Sequence, residues 1–266
     1  MRISLIGAGA MGGAMLRAWL DAGLAEPSEV AVFDPAPSDA LTALADANGF
    51  SLNADPAGIK SDVAVFAVKP QKAREVAPRY AALTDGAVVL SIMAGFSVAS
   101  LESVLGPRAF VRAMPNLPAQ IGVGVTGLYA APRVNDQERA IIDALIAPTG
   151  RGVWVEDEAH IDAVTAVSGS GPAYFFLLAE AMTEAGAKLG LRPETARALA
   201  EATLSGAGAL VGADGRRASD LRAAVTSPGG TTAAALDVFD RPETGLRSLA
   251  DDALAAAAAR AKALST

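Results

Sequence analysis

The segment Gly7-Ala8-Gly9-Ala10-Met11-Gly12 constrains this chain more than any other. It follows a short apolar run, Arg2-Ile3-Ser4-Leu5-Ile6, and opens a helical pattern that carries Leu16, Trp19 and Leu20 towards Gly23. A strand, a glycine turn and a helix in that order put unpaired N–H groups at the positive end of a helix dipole, where an anion is held. At this spacing Gly7 permits the tight turn, Gly9 lets the backbone approach a pyrophosphate, and Gly12 allows close packing of helix on strand. A second strand, Val30–Phe33, ends at Asp34, which stands where a carboxylate accepts hydrogen bonds from an adenosine ribose and repels a 2′-phosphate. The context predicts dinucleotide binding, with a lean towards NADH. The plainer alternatives are an incidental tight turn and, for Asp34, a turn cap ahead of Pro35.

Buried strands follow at 63–68, 87–92, 109–112, 123–129 and 152–155, with helices filling most gaps. After Glu156 the strand signal disappears, and Ala- and Leu-rich helices are predicted at 158–167, 171–189, 193–212, 217–226, 231–240 and 243–264. An α/β half followed by an all-α half predicts two domains, 1–157 and 158–266. The helical half is apolar on too many faces to stand alone, so it is expected to bury surface against a second copy.

Several strand ends carry residues suited to a site. Ala67-Val68-Lys69-Pro70 and Ser91-Ile92-Met93-Ala94-Gly95 lie at strand C-termini, where ligands bind in open α/β sheets. Read singly, Lys69 is a surface lysine beside a helix-starting proline, and the second segment a strand-to-turn transition. Arg112-Ala113-Met114-Pro115-Asn116-Leu117-Pro118 is stiffened by two prolines, and Ser168-Gly169-Ser170-Gly171-Pro172-Ala173-Tyr174 introduces a long helix. The turn Val225-Thr226-Ser227-Pro228-Gly229-Gly230-Thr231-Thr232 opens another apolar helix; it reads either as an anion-holding turn or as an ordinary start capped by Ser227 or Thr231.

Composition narrows the chemistry. Cysteine is absent and His160 is the single histidine, so there is no thiolate nucleophile, no cysteine metal site and no histidine cluster; no metal is expected. Redox chemistry therefore needs a borrowed cofactor. A net charge of -7 without clustered Lys and Arg argues against nucleic acid. No secretory leader or uninterrupted membrane-length apolar run is read, so a cytoplasmic, membrane-free protein is expected.

With these segments in order, the chain resembles the pyrroline-5-carboxylate reductases across essentially its whole length. The resemblance rests on Ile6 through Gly12, Ala67 through Pro70, Ser91 through Gly95, Arg112 through Pro118, Asp162-Ala163-Val164-Thr165, Ser168 through Tyr174 and Val225 through Thr232. It implies an N-terminal Rossmann dinucleotide-binding domain and a C-terminal helical dimerisation domain. It also implies an active site between the cofactor domain of one subunit and helices of another, in a homodimer that often assembles into a decamer. The cofactor, NADPH or NADH, is then lined by Ile6, Gly7, Ala8, Gly9, Ala10, Met11, Gly12, Asp34, Asn53, Ala67, Val68, Lys69, Pro70, Met93, Ala94 and Gly95. Glu158, Ser227, Gly229, Gly230, Thr231 and Thr232 face the substrate, 1-pyrroline-5-carboxylate, on its way to L-proline. Asp34 departs from many relatives, which carry a small hydroxyl residue there and prefer NADPH.

The implied chemistry is hydride transfer to a C=N carbon, with Thr232 orienting or protonating the imine nitrogen. A cyclic imine is basic enough to need no histidine or lysine acid. The nearest rival, a β-hydroxyacid dehydrogenase, usually places a catalytic lysine in the helix after its Gly-x-Gly loop, whereas Gly169-Ser170-Gly171 here precedes no lysine until Lys188. Another imine reductase, or a non-catalytic dinucleotide sensor working through the helical half, also stays open at this level.

Overall fold

The computed structural model of the chain describes residues 1–264. It divides into two compact units, Met1–Ser170 together with the segment from Ala257, and Gly171–Ala256. The division thus falls after Ser170, so residues 158–170 group with the sheet and not with the helices that follow. Residues 265 and 266 of the expected second domain lie outside the described residues.

The first unit is built on one eight-stranded sheet. Its strands are β1 (Ile3–Ile6), β2 (Val30–Phe33), β3 (Ser51–Leu52), β4 (Val63–Phe66), β5 (Val88–Ser91), β6 (Ala109–Met114), β7 (Gly124–Ala130) and β8 (Gly150–Val155). They lie in the order β3-β2-β1-β4-β5-β6-β7-β8, parallel from β3 to β6, with β7 antiparallel to β6 and β8 parallel to β7. Strands β1, β2, β4 and β5 are buried at every position, which is why they read as continuous apolar runs. Alternate side chains feed two separate cores: Leu5, Val32, Val65 and Leu90 on one face, Ile6, Phe33, Phe66 and Val89 on the other. The chain reverses direction across the sheet between β1 and β4, and ligands bind outside strand C-termini at such a switch point.

Helices α1 (Ala10–Asp21), α2 (Asp39–Asn48), α3 (Ala73–Val76), α4 (Val98–Leu105), α5 (Asp136–Ile146) and α6 (His160–Val164) complete this unit. Their ends follow local chemistry. Ser38 caps α2 through Leu41 N at 3.2 Å, and Asn135 with Glu138 forms a capping box on α5. Between β4 and β5, Pro70 and Pro78 break the predicted helix into 3₁₀ turns around α3. Trp19 Nε1 donates to Leu145 O at 2.8 Å, tying α1 to α5 through the core. The helix expected over 158–167 begins at His160 and ends in a π-helical turn, Thr165–Gly169, closed by Ser170 N to Thr165 O at 2.8 Å. Asn116 steadies that turn, donating from Nδ2 to Ser168 O at 3.2 Å while its Oδ1 accepts Val125 N at 2.9 Å.

The second unit contains α7 (Gly171–Lys188), α8 (Pro193–Asp214), α9 (Ala218–Ala224), α10 (Thr231–Phe239) and the start of α11 (Leu246–Leu264). Helices α7 and α8 pack closely where Gly186 faces Ala196. Very little else is buried: α8 hides only Ala196 and Ala200, and α10 and α11 hide no residue. On α7, Phe175, Phe176 and Leu177 are 58%, 54% and 63% exposed. By length and composition alone, the helical stretch His160–Lys188 is apolar enough to cross a membrane. Gly169 and Gly171 interrupt this stretch, so it does not stand out in the sequence as an uninterrupted apolar run.

Candidate active site

The glycine turn sits at the switch point. Gly7 N donates to Phe33 O and Ala67 N donates to Ile6 O, both at 2.8 Å, so β2 flanks the turn on one side and β4 on the other. Gly7 has φ +93°, and a Cβ there would lie 2.8 Å from Ala67 O. A Cβ on Gly12 would run into Gly7 O, so Gly12 is where α1 seats itself on the turn. Gly9 differs from both. It caps α1 with φ −67°, and a Cβ there would meet nothing within 4 Å. The fold itself does not need glycine at position 9; the clear space fits the close approach of a pyrophosphate. No side chain caps α1, and the amides of Ala10, Met11 and Gly12 find no acceptor among the described residues.

Asp34 ends β2 as an anchored carboxylate: Oδ2 accepts Ala8 N and Oδ1 accepts Ala36 N, each at 2.9 Å. Ala8 N is therefore engaged within the protein, and Asp34 is both the expected acidic residue and the turn cap. Asn53, with φ 55°, braces the Asp34 backbone, accepting Asp34 N at 2.9 Å and donating to Asp34 O at 2.8 Å. Beside these groups lies a cleft of about 360 Å³ lined by Ala8, Gly9, Ala10, Asp34, Ser38 and Arg17. Arg17 was not expected from the sequence; its spacing of one helical turn from Gly13 is the signal that places it on the face of the glycine turn.

The neighbouring strand ends complete this side. Ala67, Val68 and Lys69 leave β4, Lys69 is exposed, and Pro70 begins a 3₁₀ turn. Met93 is buried at 3% exposure, Ala94 is exposed, and Gly95 turns the chain with φ +70°. Glu158 is not a free carboxylate here. Its Oε1 accepts Arg112 Nη1 and Val98 N, both at 2.8 Å, which ties the approach to α6 to β6 and to the start of α4.

The turn before α10 lies in the second unit. Gly230, and not Ser227 or Thr231, is the N-cap, and no side chain makes a capping bond. Gly229 has φ +69°, Gly230 N donates to Ser227 O at 3.0 Å, and a Cβ on Gly230 would press to 2.5 Å from Ser227 Oγ. The backbone therefore closes the turn unaided, which leaves the Ser227 and Thr231 hydroxyls out of the cap. The amides of Thr231, Thr232 and Ala233 have no acceptor among the described residues.

Comparison with known proteins joins the two units. A family described as pyrroline-5-carboxylate reductase dimerisation matches residues 158–264, and one described as NADP oxidoreductase, coenzyme F420-dependent, matches residues 2–95. A pyrroline-5-carboxylate reductase of Mycobacterium tuberculosis is 38% identical over 99% of this chain and 96% of its own length. The chain belongs to the pyrroline-5-carboxylate reductase family. A reductase of this family from Pseudomonas aeruginosa is 47% identical over 77% of this chain and 75% of its own length. The solved structure of the one from Coxiella burnetii superposes with a TM-score of 0.92 at 34% identity, covering 100% of this chain and 98% of that one. As a family member the chain has an NADP-binding oxidoreductase unit, and its largely unburied helices form the module through which the family self-associates.

Proposed function

We propose that this chain reduces the C=N bond of 1-pyrroline-5-carboxylate with NADPH or NADH to give L-proline. The observation that carries this reading is the start of α10. There, unpaired amides and three hydroxyls stand together, and no lysine, histidine or carboxylic acid lies within Ser227–Thr232. A carbonyl substrate would need a proton donor for its developing alkoxide, whereas a protonated cyclic imine gains neutrality as it is reduced. The bound coenzyme supplies the hydride, delivered to the imine carbon.

The residues of the chain then divide the remaining work. The amides at the α10 start hold the substrate carboxylate. Thr232 orients the imine nitrogen or passes it a proton. The turn Gly7–Gly12 with the amides of α1 takes the pyrophosphate, Asp34 takes the adenosine ribose, and Val68–Pro70 with Met93–Gly95 line the nicotinamide side. Asn53 supports this site by bracing Asp34. Most of the rate enhancement is then positioning of two bound molecules. We extend the proposal to a homodimer that assembles further, to a decamer, in the cytoplasm, with the apolar α7 face covered by a partner chain and not by lipid. The test is to supply 1-pyrroline-5-carboxylate with each coenzyme and follow coenzyme oxidation together with proline formation. Stoichiometric proline is expected; binding of coenzyme without turnover would instead favour a dinucleotide sensor.

A further inference from the structure

Arg17 lies on α1 one turn beyond Gly13, is exposed, and lines the same cleft as Gly9, Asp34 and Ser38. Its Nη1 is 3.8 Å from the point a Cβ on Gly13 would occupy, so the side chain folds back along α1 towards the glycine turn. Among the described residues it makes no ion pair or hydrogen bond. An exposed arginine on a helix is ordinarily a solvated surface group. Here the nearest acid in the cleft, Asp34, is committed to the amides of Ala8 and Ala36, so the guanidinium faces the cleft with its donors unspent. Ser38 Oγ accepts Leu41 N at 3.2 Å, which leaves its own hydrogen to donate into the same space.

We infer that Arg17 is the coenzyme-specificity residue of this chain: it takes the adenosine 2′-phosphate of NADPH, beside an Asp34 that takes the 2′-hydroxyl of NADH. The inference rests on the dinucleotide reading of this cleft. A planar guanidinium bonds a phosphate through two parallel N–H groups, and its charge offsets the repulsion that Asp34 alone exerts on a 2′-phosphate. The cleft then admits both coenzymes, and their ratio is set by two side chains of opposite sign.

Equilibrium binding of adenosine 2′,5′-bisphosphate and of 5′-AMP to the full chain, by calorimetry, tests this without turnover. The quantity read is the ratio of the two affinities. Arg17→Met is expected to lower that ratio at least roughly 10-fold, the least effect of losing a charge-assisted pair of bonds. Arg17→Lys is expected to recover part of it, and Asp34→Ala to move it the opposite way. An unchanged ratio in Arg17→Met overturns the role of Arg17. If the unsubstituted chain binds neither nucleotide, the dinucleotide reading itself falls, and the inference with it.

Discussion

One oxygen of Glu158 accepts both Arg112 Nη1 and the backbone N–H of Val98, each at 2.8 Å. Arg112 is 6% exposed, and it pairs in register with Ser91, two residues before Met93. The bridge therefore fixes the loop from Met93 to Ser97 at both ends, since Val98 is the first residue of α4. Glu158→Ala leaves a buried guanidinium without its carboxylate. That is expected to cost about 2–4 kcal/mol, towards the low side for buried pairs because part of Glu158 remains exposed. Glu158→Gln keeps an acceptor for Val98 and should lose less. Urea unfolding of both variants checks the order; equal losses would mean that the bond to Val98 adds nothing beyond the ion pair.

The three glycines of the turn separate folding from binding. Gly12→Ala drives a Cβ into Gly7 O and should destabilise by roughly 1–3 kcal/mol, as overpacking does. Gly9→Ala meets open space at an ordinary φ of −67° and should leave the melting temperature unchanged or slightly raised. Its methyl group would occupy the approach to the pyrophosphate, so coenzyme affinity should fall at least 10-fold, about 1.4 kcal/mol. Thermal melts paired with coenzyme titration check both, and undiminished affinity in Gly9→Ala would remove the pyrophosphate from this turn.

These glycines were legible because backbone geometry alone dictates them, as was the sheet, whose buried strands admit only apolar side chains. The Glu158–Arg112 bridge was not, since its partners lie 46 residues apart and nothing local marks either one. The resemblance placed Glu158 towards the substrate, whereas the fold commits one of its oxygens internally. Strand β3 escaped notice because two residues carry no periodicity. The turn at 227–232 was located correctly, yet its cap was misread: side-chain capping statistics favour Ser and Thr, but the left-handed Gly229 lets the backbone close the turn by itself.

Arg2 and Asp62 join the start of β1 to the start of β4 through Nη2 to Oδ1 at 2.5 Å and the Arg2 backbone N–H to Oδ2 at 2.8 Å. The side-chain and backbone hydrogen bonds from Arg2 hold the Asp62 carboxyl below its ordinary 3.8. A carboxyl depressed in the folded state adds stability that is fully present above the unfolded value and lost as pH falls through the folded one. Asp62→Asn should therefore be modestly less stable than the parent at neutral pH, with the gap closing below about pH 4. Melting temperatures from pH 3 to 7 check this, and a gap constant across that range would remove the ionised carboxylate as its cause.

Phe175, Phe176 and Leu177 are consecutive on α7, so their exposed side chains span about 200° of its surface at 100° per residue. A single contacting stripe would not cover that arc. The partner chain is expected to embrace α7 on more than one side, which suits an obligate dimer. Phe176→Glu should shift the chain towards monomers or insoluble material, detected by light scattering. A fully soluble, unaltered oligomer in that variant would place the interface elsewhere.

Thr232 is the second residue of α10, half-buried, and contributes both an unpaired first-turn amide and a hydroxyl. Because the amide belongs to the backbone, Thr232→Ala removes the hydroxyl while keeping the anion-holding helix start. If the hydroxyl orients or protonates the imine, turnover should fall roughly 10²–10³-fold, within the range for a positioned proton donor, while coenzyme affinity is unchanged. Thr232→Ser restores the hydroxyl and should restore most of the rate. If the amides alone carry the substrate, Thr232→Ala turns over nearly normally, and water becomes the proton source. Steady-state rates for the two variants, with coenzyme dissociation constants measured alongside, separate these outcomes, because one changes only kcat and the other changes nothing.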